Sequence, residues 1–187
     1  MGAWTMKAIA TLIALLCCAA AAAEPNRWTI DYGASRIGFT AEQAQAPFDG
    51  AFKAFEADVR FDPEALSGSS ANVTIDTASI ATSDKERDGI LRGAGWFEVE
   101  QYPSARFTAT EFIKANDGFE AHGQLAIRTV TVPVTLRFTL VETAGRVELR
   151  GTAQLDRFAF GLGLGDWADT KWIGKNVVVA VTLIGKR

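Results

Sequence analysis

Alternation of apolar and polar residues with a period of two is the feature that most constrains the fold of this chain. In residues 55–61 every second side chain is apolar, and Glu56, Asp58 and Arg60 occupy the positions between them. The same alternation runs through residues 132–140 and 147–155. Because successive side chains of a β-strand point to opposite faces, each segment is typical of a strand with one buried and one solvated face.

Weaker versions of the pattern predict further strands and make the chain all-β. These segments are 28–31, 35–41, 71–77, 105–112, 119–128 and 176–184. Turn signals separate them, such as Asp62-Pro63 and Asn116-Asp117-Gly118. Pro133 falls inside a strand, which favours an edge or a bulge at that point. About eight to ten antiparallel strands in one domain are typical of a sandwich or a barrel.

One segment departs from the strand pattern and predicts a short helix packed on the sheet. Ser83 and Glu86 have the spacing of a capping box, with Ser83 as the N-cap. Ile90 and Leu91 form a small apolar stripe, and Gly93 provides the stop signal.

The first 23 residues predict a secretory signal peptide. Lys7 precedes an apolar run over residues 8–16, and a string of small residues ends at Ala23. The run is too short for a membrane span, which needs about 20 apolar residues. We therefore expect cleavage after Ala23, a mature domain over 24–187 and a periplasmic location. The alternative is a lipoprotein signal with an acylated Cys17 or Cys18, although neither follows the small residue that such processing prefers.

Cleavage also limits the chemistry of the mature domain. Both cysteines of the chain, Cys17 and Cys18, leave with the signal peptide, so we expect no disulfide. The formal net charge of −3 becomes −4 when Lys7 is removed, and no basic run follows. A mildly acidic chain without a basic patch argues against nucleic acid as a partner.

The inventory of catalytic side chains predicts a protein that is not an enzyme and holds no metal. His122 is the sole histidine of the chain, so metal or haem sites built on several His or Cys ligands are not expected. A Ser–His–Asp triad would depend on His122, which we interpret instead as a surface or network residue. An acid–base pair of carboxylates stays open as a weaker alternative, because the aspartates fall at strand and helix ends, where capping is their usual role.

A set of ordered motifs resembles the YceI-like family of bacterial periplasmic proteins over residues 28–184. The matching motifs are Trp28-Thr29-Ile30-Asp31, Ser35-x-Ile37-x-Phe39, Phe61-Asp62-Pro63-x-x-Leu66, Thr74-Ile75-Asp76-Thr77-x-Ser79-Ile80-x-Thr82-x-x-x-x-Arg87-Asp88-x-x-Leu91, Phe97, Tyr102-Pro103-x-Ala105-x-Phe107, Gly123-x-Leu125-x-Ile127-Arg128, Val130-Thr131-x-Pro133-Val134-x-Leu136 and Asp156-Arg157-x-x-Phe160-Gly161-Leu162. Each motif is weak alone, and their order and spacing carry the resemblance.

The resemblance implies a lipocalin-like closed antiparallel barrel of about eight strands with an interior cavity. It further implies an exported soluble lipid-binding protein, a carrier or reservoir that holds a long apolar isoprenoid. The ligand would be a polyisoprenoid or an isoprenoid quinone, and no other cofactor is implied. It also implies transient membrane contact or a membrane cytochrome as a partner.

Along each strand the side chains point alternately into and out of the barrel. This alternation, called strand parity below, predicts the residues that line the cavity. Small inward residues among large ones favour an open cavity over a filled one. The predicted lining residues are Phe39, Phe107, Leu125, Ile127, Leu136, Phe138, Leu149, Gly151, Ala153 and Val179. Three tryptophans outside the predicted strands, Trp96, Trp167 and Trp172, are predicted to rim the mouth, since indole rings suit a boundary between apolar and wet surroundings.

Two other interpretations stay open at this point. The first is a periplasmic interaction module with a filled barrel, accessory to a membrane redox protein. The second is an enzyme with a minimal carboxylate site in the same barrel. An outer-membrane barrel is rejected, because charged residues such as Arg137, Glu148 and Arg150 would face lipid.

Overall fold

The computed structural model describes residues 27–187, so the predicted signal peptide and the cleavage after Ala23 lie outside the described residues. The described chain forms one antiparallel sheet of eleven strands, β1 to β11, and one α-helix, α1. The strands are Thr29–Ile30, Arg36–Gln43, Ala46–Phe52, Phe55–Arg60, Ser70–Asp76, Ile80–Ala81, Ser104–Ala115, Gly118–Ile127, Val130–Thr143, Arg146–Asp156 and Asn176–Lys186, and the helix α1 is Lys85–Arg92.

The sheet curls around an interior in the strand order β4-β5-β7-β8-β9-β10-β11-β2-β3-β6, and β1 pairs with β11. The two ends of this order, β4 and β6, are not paired with each other among the described residues. The segment before β1 nevertheless reaches the edge strand β4, where the N–H of Trp28 donates to the carbonyl of Val59 at 2.8 Å. The all-β prediction is confirmed. The expected count of about eight strands is wrong, because the sheet has eleven strands. An isolated bridge between Arg27 and Arg60 joins the segment before β1 to β4, so the sheet is strongly curled, but a fully paired closed barrel is not shown among the described residues.

The excess over the expected count comes partly from β3, which the sequence analysis missed. This strand contains Pro47 and Gly50, which are both poor strand formers. It pairs with β2 through a two-residue turn in which Ala44 and Gln45 have φ of 50° and 64°. Such turns usually carry Asn or Gly, so this hairpin has no signature in the sequence.

The helix forms where it was predicted, but its cap is different. The side chain of Asp84 accepts hydrogen bonds from the N–H groups of Glu86 and Arg87, so Asp84 is the N-cap. Ser83 has φ of 64°, whereas an N-cap requires extended backbone, so the predicted Ser83 cap is wrong. Gly93 is the C-cap, as the stop signal predicted.

Pro133 lies in a part of β9 that is an edge. The pairing of β9 with β10 covers only residues 137–143 of β9, while Pro133 faces Gln124 of β8. The first half of β9 therefore has a neighbour on one side only, and a residue without an N–H is tolerated there.

No helix within residues 27–187 is long and apolar enough to cross a membrane.

The buried apolar residues form two clusters at opposite ends of the strands. Along β8, Ala121 belongs to the cluster around Phe61, and Leu125 belongs to the cluster around Trp96 and Phe160. The first cluster lies on the side of the β9–β10 turn, and the second lies on the side of α1 and the 161–174 loop. The interior between these clusters contains the candidate site.

Candidate ligand-binding cavity

A cavity of about 470 Å³ lies inside the curled sheet. Strands that are far apart in the sheet order, such as β2 and β7, both contribute lining residues, for example Phe39 and Phe107. The volume falls within the range of about 300–1,000 Å³ that is typical of small-molecule sites. Almost all of the lining side chains are apolar.

The cavity wall contains nine of the ten residues that strand parity had selected. They are Phe39, Phe107, Leu125, Ile127, Leu136, Phe138, Leu149, Ala153 and Val179. These nine residues lie together because inward-facing residues of a curled sheet share one interior.

Gly151 is the predicted lining residue that the structure does not bring to the cavity wall. A Cβ atom at this position would lie 3.0 Å from Cβ of Phe138 and 3.2 Å from Cδ1 of Leu136. The neighbouring side chains thus already cover this glycine. Gly123 is similar, because a Cβ there would lie 2.5 Å from the ring of Phe107. These inward glycines make room for adjacent aromatic and aliphatic side chains instead of leaving space for a ligand.

The three predicted mouth tryptophans occupy different positions. Trp96 and Trp167 line the cavity, and their ring centroids are 6.2 Å apart in an edge-to-face contact. Trp96 is buried, whereas Trp167 is 38% exposed. Trp172 does not line the cavity, and 65% of its surface is exposed. Lining residues that are also exposed, Trp167 and Ile90, place the mouth between the 161–174 loop and α1.

The end of the cavity opposite the mouth is entirely aromatic and aliphatic. Phe61 is 1% exposed, and its ring lies 5.0–5.5 Å from the rings of Phe112, Phe119 and Phe138. The contacts with Phe119 and Phe138 are edge-to-face, a geometry that aromatic pairs prefer. This cluster forms an apolar floor that offers no hydrogen bond to a ligand.

Polar lining side chains occur only at the mouth end. Within residues 27–187 they are Gln43, Asp84, Glu86, Arg87 and Arg157. An apolar cavity with a polar end matches an amphipathic molecule that enters with its apolar part first.

Arg87 joins α1 to the tip of the β2–β3 hairpin at this end. Its Nη1 donates to Oε1 of Gln43 at 2.8 Å, and its Nε donates to Oγ1 of Thr82 at 3.0 Å. The guanidinium also lies over the ring of Phe48, 4.0 Å from the centroid. Asp88 on the same helix accepts from the N–H and the hydroxyl of Thr82 at 2.8 and 2.7 Å. Both side chains therefore hold the helix in place.

Arg157 organises the other side of the mouth and was given no role by the sequence analysis. It is 3% exposed, at the start of the turn Arg157–Phe160. Its guanidinium donates to five backbone carbonyls of the following loop. They are those of Leu162, Gly163, Trp167, Ile173 and Gly174. Burial lowers the pKa of Arg157, and the charge of Asp156 opposes that shift.

The geometry around Arg157 shows why the loop adopts this path. An arginine side chain has five N–H donors in one plane, and here each donor meets a carbonyl. The loop therefore wraps around a single side chain that it buries. The motif Asp156-Arg157-x-x-Phe160-Gly161-Leu162 was the available signal, but a pattern of residues does not reveal which carbonyls converge.

His122 lies in a surface network outside the cavity. Its Nε2 is 3.0 Å from Oε2 of Glu120 on the same strand, and Nε of Arg137 is 2.9 Å from Oε1 of Glu120. The hydrogen bond with His122, followed by that from Arg137, lowers the pKa of Glu120. Within residues 27–187 no group of three or more His, Cys, Asp or Glu residues is arranged to hold a metal ion.

The chain matches the model of the YceI-like domain over residues 28–184. It is 39% identical over 92 residues to Protein YceI of Escherichia coli O17:K52:H18, and the match covers 49% of this chain and 48% of the relative. It is 41% identical over 92 residues to a UPF0312 protein of Serratia proteamaculans, with the same coverage. The match thus spans about half the length of these curated relatives.

Solved structures share the fold over most of the described chain. The crystal structure of BcnA from Burkholderia cenocepacia superposes with a TM-score of 0.80 and 30% identity, covering 83% of this chain and 99% of that one. A polyisoprenoid-binding domain from Saccharophagus degradans superposes with a TM-score of 0.65 and 16% identity, covering 85% and 97% of the two chains. The family model spans most of the chain, and 30% identity to BcnA over nearly its full length agrees with it: this chain belongs to the YceI-like family.

Proposed function

We propose that this protein is a non-enzymatic carrier or reservoir that holds an isoprenoid lipid in the cavity of its curled sheet. The observation that carries the proposal is the cavity of about 470 Å³, apolar from its aromatic floor upward and polar only at its mouth. The structural neighbour from Saccharophagus degradans is described as a polyisoprenoid-binding domain, which supports the same class of ligand. The predicted signal peptide supports export, with the periplasm as the place where the carrier works.

The open interior disfavours the filled-barrel interaction module. A filled interior would have its inward side chains packed against one another at the density of a protein core. Here the wall includes small residues such as Ala121 and Ala153 whose side chains border empty space.

The energetics suit a carrier that both loads and unloads. Burying a methylene from water yields roughly 0.8 kcal/mol, but an isoprenoid that comes from a membrane is already out of water. Its transfer into the cavity therefore gains little net hydrophobic free energy. Shape and contacts at the polar mouth must then determine which lipid is held, and exchange with a membrane stays readily reversible.

The proposal is tested by withdrawal of lipid from vesicles. Phospholipid vesicles that contain a trace of an isoprenoid quinone are mixed with the protein and then removed by sedimentation. We expect quinone in the supernatant in proportion to the protein, up to about one molecule per chain. A supernatant that contains no more quinone than one prepared with an unrelated protein of similar size would contradict the proposal.

A further inference from the structure

Four large apolar side chains are exposed around the mouth of the cavity, and we call them the mouth patch. Ile90 lies on α1, and Leu164, Trp167 and Trp172 lie on the 161–174 loop. Trp172 and Leu164 are 65% and 53% exposed, whereas Trp167 and Ile90 are 38% and 36% exposed and also line the cavity. Single exposed apolar residues are ordinary on a protein surface, but several around one opening indicate an interaction surface.

Hydrogen bonds hold the backbone that carries the patch. The carbonyl of Trp172 accepts from the N–H of Ala44 in the β2–β3 turn at 2.6 Å. Nearer the start of the loop, the N–H of Gly163 donates to the carbonyl of Gly95 at 2.7 Å, one residue before Leu164. The patch is therefore presented by anchored backbone, so a partner that covers it has little backbone to order.

The charges around the patch nearly balance, with a small acidic excess. The 161–174 loop carries Asp166, Asp169 and Lys171, and Glu42 lies beside the loop at Gly174. The helix α1 with its N-cap carries three acidic and three basic side chains. Such a surface has no net attraction for an anionic partner. It suits an apolar partner covered by a neutral polar layer, which describes a zwitterionic bilayer, where tryptophan rings favour the boundary.

The patch is small for a contact between two proteins. A large aromatic side chain buries at most about 250 Å². Even with that value for all four side chains, their exposed fractions amount to less than about 500 Å² of apolar surface. Each partner in a stable protein complex contributes about 800 Å². The patch therefore suits a shallow, reversible contact better than a permanent dimer.

The position of the patch gives such a contact a purpose. A lipid that moves between a bilayer and the cavity passes the mouth, and any part of its tail that crosses water loses apolar burial. Trp167 and Ile90 belong both to the patch and to the cavity wall, so apolar surface continues from the outside into the interior. With the patch seated on the bilayer, the tail stays in contact with apolar surface along the whole path.

We propose that the mouth patch seats this protein on a zwitterionic phospholipid bilayer, with Trp172 and Leu164 as the main side chains that enter the interface. The contact depends on apolar insertion and not on anionic lipid. The inference rests on the proposed function and adds to it the surface through which the cavity meets its source of lipid.

Sedimentation with vesicles tests the patch. Sucrose-loaded vesicles of pure phosphatidylcholine, without isoprenoid, are sedimented with the wild-type protein or with one of two double variants. Leu164→Ser with Trp172→Ser, the patch variant, removes the two most exposed members of the patch. Ile113→Ser with Val141→Ser is the matched control, because these residues are 40% and 60% exposed near the turns at the opposite end of the strands. All forms carry the same N-terminal segment, so its contribution is common to them.

The expected change follows from the exposed area that is lost. Fully burying one large apolar side chain corresponds to about tenfold or more in an equilibrium constant, and the patch variant loses two that are each about half exposed. We therefore expect it to lower the ratio of bound to free protein at least about tenfold, and the control to change it less than about twofold. Adding phosphatidylglycerol to the vesicles should change wild-type binding by less than about twofold, because the nearby charges nearly balance.

Quenching of wild-type tryptophan fluorescence is the second readout. Phosphatidylcholine that carries bromine near the head group or deep in the acyl chain quenches tryptophan by contact. We expect stronger quenching by the shallow bromines, since indole rings favour the interface. Trp172→Phe, which keeps a ring but changes the fluorophore, should reduce the quenched signal. Absence of quenching at both depths would refute the inference without any need for a variant.

The outcomes separate this inference from the proposed function. The bilayer seat is refuted if the protein does not bind phosphatidylcholine vesicles, or if both double variants bind them equally well; quinone withdrawal then decides the proposed function separately. Binding that requires phosphatidylglycerol refutes it too. A wild-type dimer in sedimentation velocity that the patch variant dissociates would also overturn it, because a second copy would then cover the patch. If the vesicles bind as expected and no quinone is withdrawn, the proposed function fails and the bilayer contact stands.

Discussion

Replacing Arg157 with lysine tests whether one buried side chain holds the loop that closes the mouth of the cavity. The substitution keeps the positive charge and most of the length of the side chain. It changes the number of donors, because an ammonium group has three N–H bonds and a guanidinium has five. At least two of the five carbonyls that now accept from Arg157 would therefore lose their donor in a buried or partly buried place.

The expected cost follows from that count. Each buried acceptor left without a donor costs about 1–3 kcal/mol, so two of them lower the free energy of unfolding by about 2–6 kcal/mol. This is a large part of the 5–15 kcal/mol that is typical for a whole domain. Arg150→Lys is the matched control, because the Arg150 side chain is 71% exposed on the adjoining strand β10. We expect that control to change the free energy of unfolding by no more than about 0.5 kcal/mol.

Urea denaturation of the two variants and the wild type measures both values under the same conditions. Hydrogen exchange then shows where the stability is lost, and we expect faster exchange of the amides in the 161–174 loop. The reasoning is refuted if Arg157→Lys is no more destabilising than Arg150→Lys. It is also refuted if exchange in the loop is unchanged, because the carbonyls would then not depend on the guanidinium.

Three further predictions have defined outcomes. Ala153→Phe places a ring in the cavity, so it should abolish lipid uptake with little change in melting temperature. Ala109→Phe is the control, because Ala109 is buried away from the cavity wall, and it should lower the free energy of unfolding by roughly 1–3 kcal/mol through overpacking. Both variants are measured by vesicle withdrawal and thermal melts, and equal effects of the two would contradict an open cavity at Ala153. Because the folded-state pKa of Glu120 is lowered, its contribution to stability is present above its ordinary pKa of 4.5 and lost as pH falls below it. Glu120→Gln should therefore reduce the acid-side loss of stability seen in pH-dependent melts, and an unaltered pH profile would count against the network. Asp84→Ala removes the N-cap and should destabilise the protein by about 1 kcal/mol in urea, while Ser83→Ala should have a smaller effect.

The strands with clean alternation could be predicted from the sequence because alternation is a local property. Residues 55–61 and 147–155 correspond to β4 and β10 within one or two residues. The hairpin of β2 and β3 could not be predicted in the same way. Its turn uses Ala44 and Gln45 in the left-handed region, and the pairing with β2 stabilises a conformation that these residues do not favour alone.

The cavity wall was predictable to the extent that strand parity decides it. Parity shows which face a side chain occupies, but it does not show whether a neighbouring side chain covers it. Gly151 is on the inward face, yet Leu136 and Phe138 lie over it, because their side chains lean across the adjacent strand. The role of Arg157 could not be predicted from the sequence either, because its five acceptors come from a loop whose path is seen only in the folded structure.

The central claim is that an isoprenoid occupies the cavity of this protein, and native mass spectrometry of the purified protein tests it most directly. The protein is produced in bacteria with its own N-terminal segment, recovered from the periplasmic fraction and sprayed without detergent. The bound species is then extracted into organic solvent and identified by its fragments. The account predicts one isoprenoid per chain, lost in Ala153→Phe and retained in Arg150→Lys. Wild-type protein that carries no lipid, or a lipid that Ala153→Phe retains in full, would contradict it.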